Sequence, residues 1–336
     1  MVSQLPFEKV SRQVTIRIDE KSDPAFGKSP FEQTIAERIE NGFVVINKPR
    51  GPSSHQVGEY VRNILHAKTS GHSGTLDPNV TGVLAVGLNK ATRVLQALLG
   101  AGKEYVCLMH IHQEFSEEKI RNTCKKFVGD IMQMPPVKSA VKRELRKRTI
   151  YYFDVIEIDG KDVLFRVGCQ AGTYIRKLCS DIGDKLGCGA HMQQLIRTKA
   201  GSFTYAQMVS LNELVDAYAK WQGNQNDTQS EIQLKNMILP INSAVAHLPH
   251  VWVGDGAINP MCHGAPLAVP GVCKFQTNIA VGDMIAILSL KDELVCLATA
   301  QMTSEQMKNE KNGIAATLVR VVMDENLYPR MKKEQK

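Results

Sequence analysis

The stretch SGHSGTLDPNVTGVL, residues 70–84, passes from a loop marked by glycine and proline into an apolar run. Asp77 followed by Pro78 and Asn79 is ordinary turn chemistry, because a proline pushes the residue before it out of the α region. The loop does not fit three familiar kinds of site. A P-loop needs Lys and Ser or Thr directly after the second glycine of G-x-x-x-x-G, and neither is present. A phosphatase-type aspartate motif would place acidic residues ahead of Gly74, where His72 and Ser73 stand. His72 also lacks a partner at helical or hairpin spacing that would complete a zinc site. On the loop alone, Asp77 is either a turn former or a chemical group.

The segments on either side alternate between strand and helix without a regular βαβ period, which predicts an α+β fold built on a mixed sheet. Upstream, GFVVINKPRGPSSHQV is a short apolar strand ending in a proline-rich turn, with Ser53 or Ser54 placed to cap the helix HQVGEYVRNIL. Downstream come the strand TGVLAVGL, a helix over KATRVLQALLG, the alternating strand KEYVCLMHI, and a helix opened by Ser116 and running to about residue 127. TIYYFDVIEI and KDVLFRVG form a hairpin, expected to turn on Asp159-Gly160 in type I′ geometry. In TYIRKLCSDIGDKLG, residues Ile175, Leu178, Ile182 and Leu186 mark one helical face. AYAKWQGNQNDTQSEIQ is amide-rich and reads as an insertion or linker. Beyond it, short β-rich runs between Gly, Pro and Asn turns predict a compact β-barrel.

Composition sets the outer limits. With 336 residues, 43% of them hydrophobic, the chain has the length of two soluble domains. Eight cysteines are scattered without a Cys-x-x-Cys pair, so no metal site or disulfide framework is expected and reduced thiols are. No run approaches the roughly 18 apolar residues of a membrane span, and MVSQLPFEKVSRQ has no signal-peptide core, so a chain without membrane attachment is expected, cytoplasmic if of the archaeal type and nuclear if eukaryotic. The formal charge is +7, but its clustering matters more than its size. In KSAVKRELRKR, residues 138–148, the six basic residues are Lys138, Lys142, Arg143, Arg146, Lys147 and Arg148, against one glutamate. Such a run is either a solvated face or a strip that contacts phosphates.

Three residues outside the loop favour a chemical role for Asp77. Arg176 falls in the first turn of its helix, where the dipole disfavours a cation unless an anion is close by, so it calls for a carboxylate or phosphate partner. Tyr105 lies in an alternating strand and Tyr174 opens the Arg176 helix, each a core aromatic or a stacking platform for a base.

SGHSGTLDPNVTGVL, KEYVC, MPPVKSAVKRELRKRTIY and CQAGTYIRKLCSDIGDKLGCGAHMQQLIRT together resemble, in order, the motifs of the TruB-like pseudouridine synthases. VINKPRGPSSHQV and WVGDGAINPMCHGAPLAVPGV are similar to the dyskerin branch, which works with H/ACA guide RNAs. The resemblance runs from about residue 20 to 325 and, in the absence of a long Lys-rich tail, is to the archaeal members. It implies an N-terminal extension over 1–36 packing on the barrel, a catalytic domain over 37–240, a PUA RNA-binding barrel over 248–325 and a basic tail over 326–336. By motif, Asp77 matches the catalytic aspartate and His72 the histidine that helps hold the nucleotide flipped out. Tyr105 matches the tyrosine stacked on the base, Tyr174 and Leu195 line the pocket, and Arg176 pairs with the aspartate. Asn47 departs from the pattern, standing where an acidic residue is expected.

The reaction implied is uridine isomerisation: the bond from N1 to C1′ breaks and the base rejoins through C5. Atoms are conserved and no net oxidation occurs, so no cofactor or metal is called for. Asp77 acts ionised, attacking C1′ or taking a proton from C2′, and an arginine partner favours the charged form. The implied partners are an H/ACA guide RNA, substrate rRNA with tRNA as a further candidate, and three proteins: a small zinc-ribbon-like one, a glycine-arginine-rich-type one and a kink-turn-binding one. A stand-alone tRNA synthase and a non-catalytic RNA scaffold are the alternatives.

Overall fold

The computed structural model describes residues 3–135 and 142–330. In chain order it contains β1 (Val14–Ile16), α1 (Ile35–Asn41), β2 (Gly42–Lys48), α2 (Ser54–Ile64), β3 (Ser70–His72), β4 (Thr81–Leu88) and α3 (Leu95–Leu99). These are followed by β5 (Lys103–Ile111), α4 (Glu117–Lys125), β6 (Gly129–Gln133), β7 (Arg146–Asp159), β8 (Asp162–Cys169), α5 (Ile175–Leu186) and β9 (Ala190–Ala200). Then come β10 (Phe203–Thr204), α6 (Leu211–Gly223), α7 (Thr228–Met237), β11 (Ile238–Pro240), β12 (His250–Val253), α8 (Asp255–Cys262) and β13 (Leu267–Ala268). The chain closes with β14 (Val272–Gln276), β15 (Met284–Ser289), β16 (Leu294–Ala300), α9 (Ser304–Asn309) and β17 (Ile314–Val321).

Ten strands form one mixed sheet in the order β11-β2-β4-β9-β5-β8-β7-β6, with β3 added to β4 and β10 to β9. Every pairing in it is antiparallel except β4 with β9. That parallel pair covers only Thr81–Ile196 and Gly82–Arg197, after which β4 takes β3 as its neighbour instead. The sheet is therefore split, and the loop joining β3 to β4, residues 73–80, enters at the split. At the closest approach Gly82 has φ +102°, and a Cβ there would lie 2.2 Å from the Arg197 carbonyl oxygen, so glycine is required. Helices α4 and α5 cover one side of the sheet through Ile120, Cys124, Leu178, Cys179 and Ile182. Helices α2, α6 and α7 pack on Val44, Ile46, Leu84 and Val86.

Seven strands form the smaller sheet, ordered β1-β14-β12-β15-β16-β17-β13. β13 and β14 lie toward opposite ends of that order yet are joined by three residues, Val269–Gly271, so the sheet curls back on itself around its own core. Its outermost strand, β1, comes from the N-terminal segment. The same segment also crosses the large sheet, where Glu8 pairs with Lys199 at 2.7 Å and Ser3 bonds Asp154 at 2.9 Å.

Three expectations need correction. The amide-rich stretch is two helices, α6 and α7, with only residues 224–227 between them. Leu214, Ala217, Tyr218, Ser230 and Leu234 are buried at helical spacing, a stripe that the surrounding amides hide in the composition. KATRVLQALLG is a 3₁₀ turn over Asn89–Val94 followed by the short α3, rather than one helix. In the hairpin Asp159 pairs with Asp162, leaving Gly160 and Lys161 as the loop. Only Gly160 has positive φ, +53°, which is the type II′ pattern with glycine in first place. Helix α1, which Thr34 and Glu37 cap reciprocally, runs across residues 36 and 37.

The two sheets share an apolar core in which Phe43, Val45 and Val83 of the large sheet meet Ala286, Leu288 and Leu297 of the small one. His247 lies at this junction, 7% exposed, and its Nε2–H donates to the Ala97 carbonyl at 3.1 Å. Burial pulls its pKa from 6.5 down to about 4, so it is neutral in the folded protein. The unfolded chain takes up that proton first. The stability contributed by neutral His247 is full above pH 6.5 and is lost as pH falls through about 4. Urea unfolding across this window is expected to show a loss of about 3 kcal/mol that His247→Gln largely removes.

Candidate active site

The split between β4 and β9 leaves backbone groups without strand partners, and one buried side chain takes them up. Arg197, 1% exposed on β9, donates through Nε to the Val83 carbonyl at 2.8 Å and through a terminal nitrogen to Gly74 at 3.0 Å. An arginine keeps its charge even when desolvated, and its planar fork holds two acceptors in fixed directions. Tyr105 stands opposite Arg197 in the β5–β9 register, with its hydroxyl against the guanidinium.

From the other side the loop is held by Lys48, the last residue of β2, which is fully buried. Its Nζ donates to three carbonyls, Pro49 at 2.9 Å, Pro78 at 3.0 Å and Val80 at 3.0 Å. Burial lowers the Lys48 pKa, and the Asp77 carboxylate acts against that shift. Ser54, in the first turn of α2, completes the cradle: its hydroxyl accepts from Leu76 N–H at 2.8 Å and meets the Leu76 carbonyl at 3.0 Å. The loop is thus fixed by backbone bonds on both flanks of Asp77, and the carboxylate itself projects outward.

Arg176 lies in the first turn of α5, directly after Tyr174 and Ile175, and its guanidinium donates to the Asp77 carboxylate. Both side chains are more than half exposed, at 59% and 55%. An ion pair this open contributes at most about 1 kcal/mol, so its effect is to orient rather than to stabilise. Leu195, two residues before Arg197 on β9, is buried with Leu76, Val80 and Ile175 in an apolar floor against which Tyr105 packs. Burial raises the Tyr105 pKa, so the phenol is neutral. His72 ends β3, and its pKa is lowered by burial and then by the Arg197 charge, which keeps the ring neutral. Its Nδ1 is buried without a partner. Tyr174 is the N-cap residue of α5, half-buried beside this floor.

Asp77, His72, Tyr105, Tyr174, Arg176 and Leu195, expected from the sequence, thus surround one split in one sheet. The basic strip is divided. Arg146, Lys147 and Arg148 begin β7, Lys142 and Arg143 are exposed just before it, and Lys138 lies outside the described residues. Part of its charge is matched locally: Glu144 pairs with Arg146 at 3.1 Å and Lys142 at 3.5 Å, and Asp130 with Lys147 at 2.7 Å. Lys48 and Arg197 received no role from the sequence, and Ser54 only that of an alternative helix cap, a place that Ser53 takes. The signal for Arg197 is its alternation with Leu195, which puts a charge on the buried face of β9.

An exposed carboxylate steered by an arginine stands over an apolar, aromatic floor, with a curled β-domain fused alongside, an arrangement suited to a planar group presented by a larger molecule. The chain matches the TruB family pseudouridylate synthase N-terminal domain over residues 62–118 and 109–175, and the tRNA pseudouridylate synthase B C-terminal domain over 176–246. It matches the PUA domain over 249–322 and the DKCLD (NUC011) domain over 2–58. It is 50% identical over 309 residues, covering 92% of this chain and 90% of the other, to the probable tRNA pseudouridine synthase B of Methanosarcina barkeri. With the probable tRNA pseudouridine synthase B of Pyrococcus horikoshii the identity is 47% over 324 residues, 96% of each chain. Among solved structures it superposes on a chain of a Cbf5-Nop10-Gar1 complex with TM-score 0.91 and 46% identity, covering 98% of this chain and 99% of that one. A chain from an H/ACA RNP bound to a substrate RNA containing 2′-deoxyuridine gives 0.89 and 44%, covering 97% and 99%.

The chain belongs to the TruB family of pseudouridine synthases, isomerases that convert uridine to pseudouridine. Its fold is the family's mixed α+β architecture with a C-terminal PUA domain.

Lys48→Met is expected to leave the Pro49 and Val80 carbonyls without a partner at the loop, while Pro78 keeps its bond from Gly51 N–H, lowering stability by about 2 kcal/mol or more in urea unfolding. Under conditions where the variant stays folded, turnover should still fall at least about 10-fold, because Asp77 loses its fixed approach.

Proposed function

We propose that the chain is the catalytic subunit of an H/ACA guide ribonucleoprotein that isomerises uridine in rRNA. The observation that carries this reading is the superposition, along 98% of the chain, on the Cbf5 chain of a Cbf5-Nop10-Gar1 complex. The implied partners are a guide RNA, the substrate RNA and proteins of the Nop10 and Gar1 kinds, together with a kink-turn-binding protein. A second reading, direct modification of tRNA, is favoured by the curated relatives' name, probable tRNA pseudouridine synthase B.

The residues take roles that follow from their placement. The target uridine leaves its stack, a step costing a few kcal/mol that the site must offset. Tyr105 supplies an aromatic face at the pocket floor, and Leu195 with Tyr174 bounds it. His72, neutral and with an unpartnered Nδ1, occupies space next to the loop and leaves one ring nitrogen free to hydrogen-bond there. Asp77 then acts at the sugar while Arg176 holds its carboxylate in line. Over the whole reaction N1 and C5 exchange the glycosidic bond, C5 loses a proton and N1 carries one, and no electrons are gained or lost. The open Asp77–Arg176 pair is closed over by the RNA itself, which removes water from the carboxylate.

The basic residues at the start of β7 contact phosphates, adding affinity without sequence choice. Sequence choice comes from guide pairing, with the PUA domain holding the guide.

Asp77→Asn is expected to reduce turnover by about 10⁴-fold or more while leaving RNA affinity within about 3-fold. The test pairs a guide-matched rRNA fragment with a transcribed tRNA, each with and without guide RNA and partner proteins. Modification of the rRNA fragment only with guide and partners present supports the guided enzyme. Efficient tRNA modification by the chain alone, with the rRNA fragment untouched, would replace it with the second reading. Replacing Lys142, Arg143 and Lys147 by alanine should weaken all RNAs alike and flatten the plot of log affinity against log salt by roughly 0.7–0.9 for each phosphate no longer neutralised.

A further inference from the structure

The turn that delivers Tyr174 and Arg176 has no capping side chain of its own at the start of α5. Two strands at the sheet's edge supply what it lacks. On β6, Gln133 is 2% exposed and its amide spans the Tyr174 residue: Oε1 accepts from Tyr174 N–H at 3.0 Å, and Nε2 donates to the Tyr174 carbonyl at 3.2 Å. From β7, the Thr149 carbonyl accepts from Gln170 N–H at 2.8 Å, and Thr149 N–H donates to the Gln170 side chain at 3.2 Å. Arg148 lies over Gly172, which has φ +79°, and a Cβ there would come within 3.0 Å of the guanidinium.

These are also the strands that carry the basic residues, and Gln133 faces Arg146 in their register. A buried amide is costly unless both its halves are bonded, and here a single residue's main chain satisfies both. An apolar side chain of the same size would fill the space, but it would not specify where the Tyr174 main chain sits.

We propose that Gln133 is a positioning residue for the isomerisation. It fixes the Tyr174 main chain, and through it the Tyr174 ring and the direction in which Arg176 reaches Asp77. It also ties that geometry to the strand pair whose basic end meets RNA, so phosphate contact at 142–148 and alignment at Asp77 move as one unit. The inference rests on the site roles assigned above.

The test uses the full chain assembled with guide RNA and partner proteins, under single-turnover conditions with enzyme in excess. Gln133→Met keeps the length of the side chain and loses both bonds. The rate constant is expected to fall about 10- to 100-fold, with RNA affinity changed less than about 2-fold. Gln133→Glu keeps the acceptor for Tyr174 N–H and carries a donor only when protonated. Its rate deficit should therefore shrink as pH falls from about 8 to about 6, relative to the unsubstituted enzyme, because burial raises a carboxyl pKa into that range. That pH profile decides the matter even if Gln133→Met fails to fold, provided circular dichroism shows Gln133→Glu folded from about pH 6 to about pH 8, since a merely structural loss would appear there as unfolding.

Unsubstituted rates in both variants, or a flat relative pH profile with losses that follow affinity, would overturn the proposal. Asp77→Asn run alongside separates the two levels. If it is inactive while the Gln133 variants are unaffected, the positioning role alone fails; if it stays active, the site roles fail as well.

Discussion

The site depends on a break in a sheet and on the buried guanidinium that bridges it. β4 pairs with β9 for two residues and then with β3, which admits a loop into the gap but strands the carbonyls of Val83 and Gly74. Buried backbone acceptors without partners each cost roughly 1–3 kcal/mol, so the break persists only if something replaces the missing ladder. Arg197 does so and, by its position, organises the rest: it faces Tyr105 across the register and adds its charge to the burial that lowers the His72 pKa. A lysine would present one charged point and titrate more readily on burial, whereas the fork of arginine meets both carbonyls at once. The aspartate loop, the aromatic floor and the neutral histidine therefore share one anchor and are arranged before any RNA arrives.

The two halves of the Asp77–Arg176 pair are held by different parts of the molecule. Asp77 belongs to the sheet interior, through Lys48, Ser54 and Arg197. Arg176 belongs to the edge, through α5 and the strands β6 and β7. The pair is exposed and too weak by itself to lock the halves together. What joins them firmly is the continuous strand set β9-β5-β8-β7 and the apolar core beneath it. Binding energy from the distant basic strip can thus be spent on alignment at the carboxylate, the general route by which remote contacts accelerate a reaction.

Much of this was legible in the sequence, and the part that was not shares a physical cause. Alternation marked β5 and the β7–β8 hairpin, helical spacing marked α5, and the dipole argument placed an anion opposite Arg176. Composition misled at α6 and α7, where amides on the outer face obscure a narrow buried stripe, and α1 shows itself chiefly by the capping pattern of Thr34 and Glu37. Lys48, Gln133 and Arg197 stayed silent for a different reason. Their partners are main-chain groups of Val80, Tyr174 and Gly74, lying 32, 41 and 123 residues away. Every residue but proline offers the same donor and acceptor, so nothing in the partner's identity marks such a contact. Asp77 and Arg176 could be matched because charge has a sign.

The barrel is also more than a tethered RNA grip. Its residues Ala286, Leu288 and Leu297 share a core with Phe43 and Val83 of the large sheet, and the N-terminal segment adds a strand to one sheet while pairing with a lysine of the other. A linker would let the barrel search over a range of positions, whereas a shared core fixes the distance from the barrel to Asp77. In the proposed particle, sequence choice is delegated to base pairing, and the protein has then to place a paired uridine at a fixed distance from a held guide. A fused barrel meets that requirement, and it locates selection in the span between the barrel and the carboxylate rather than in side chains that read bases.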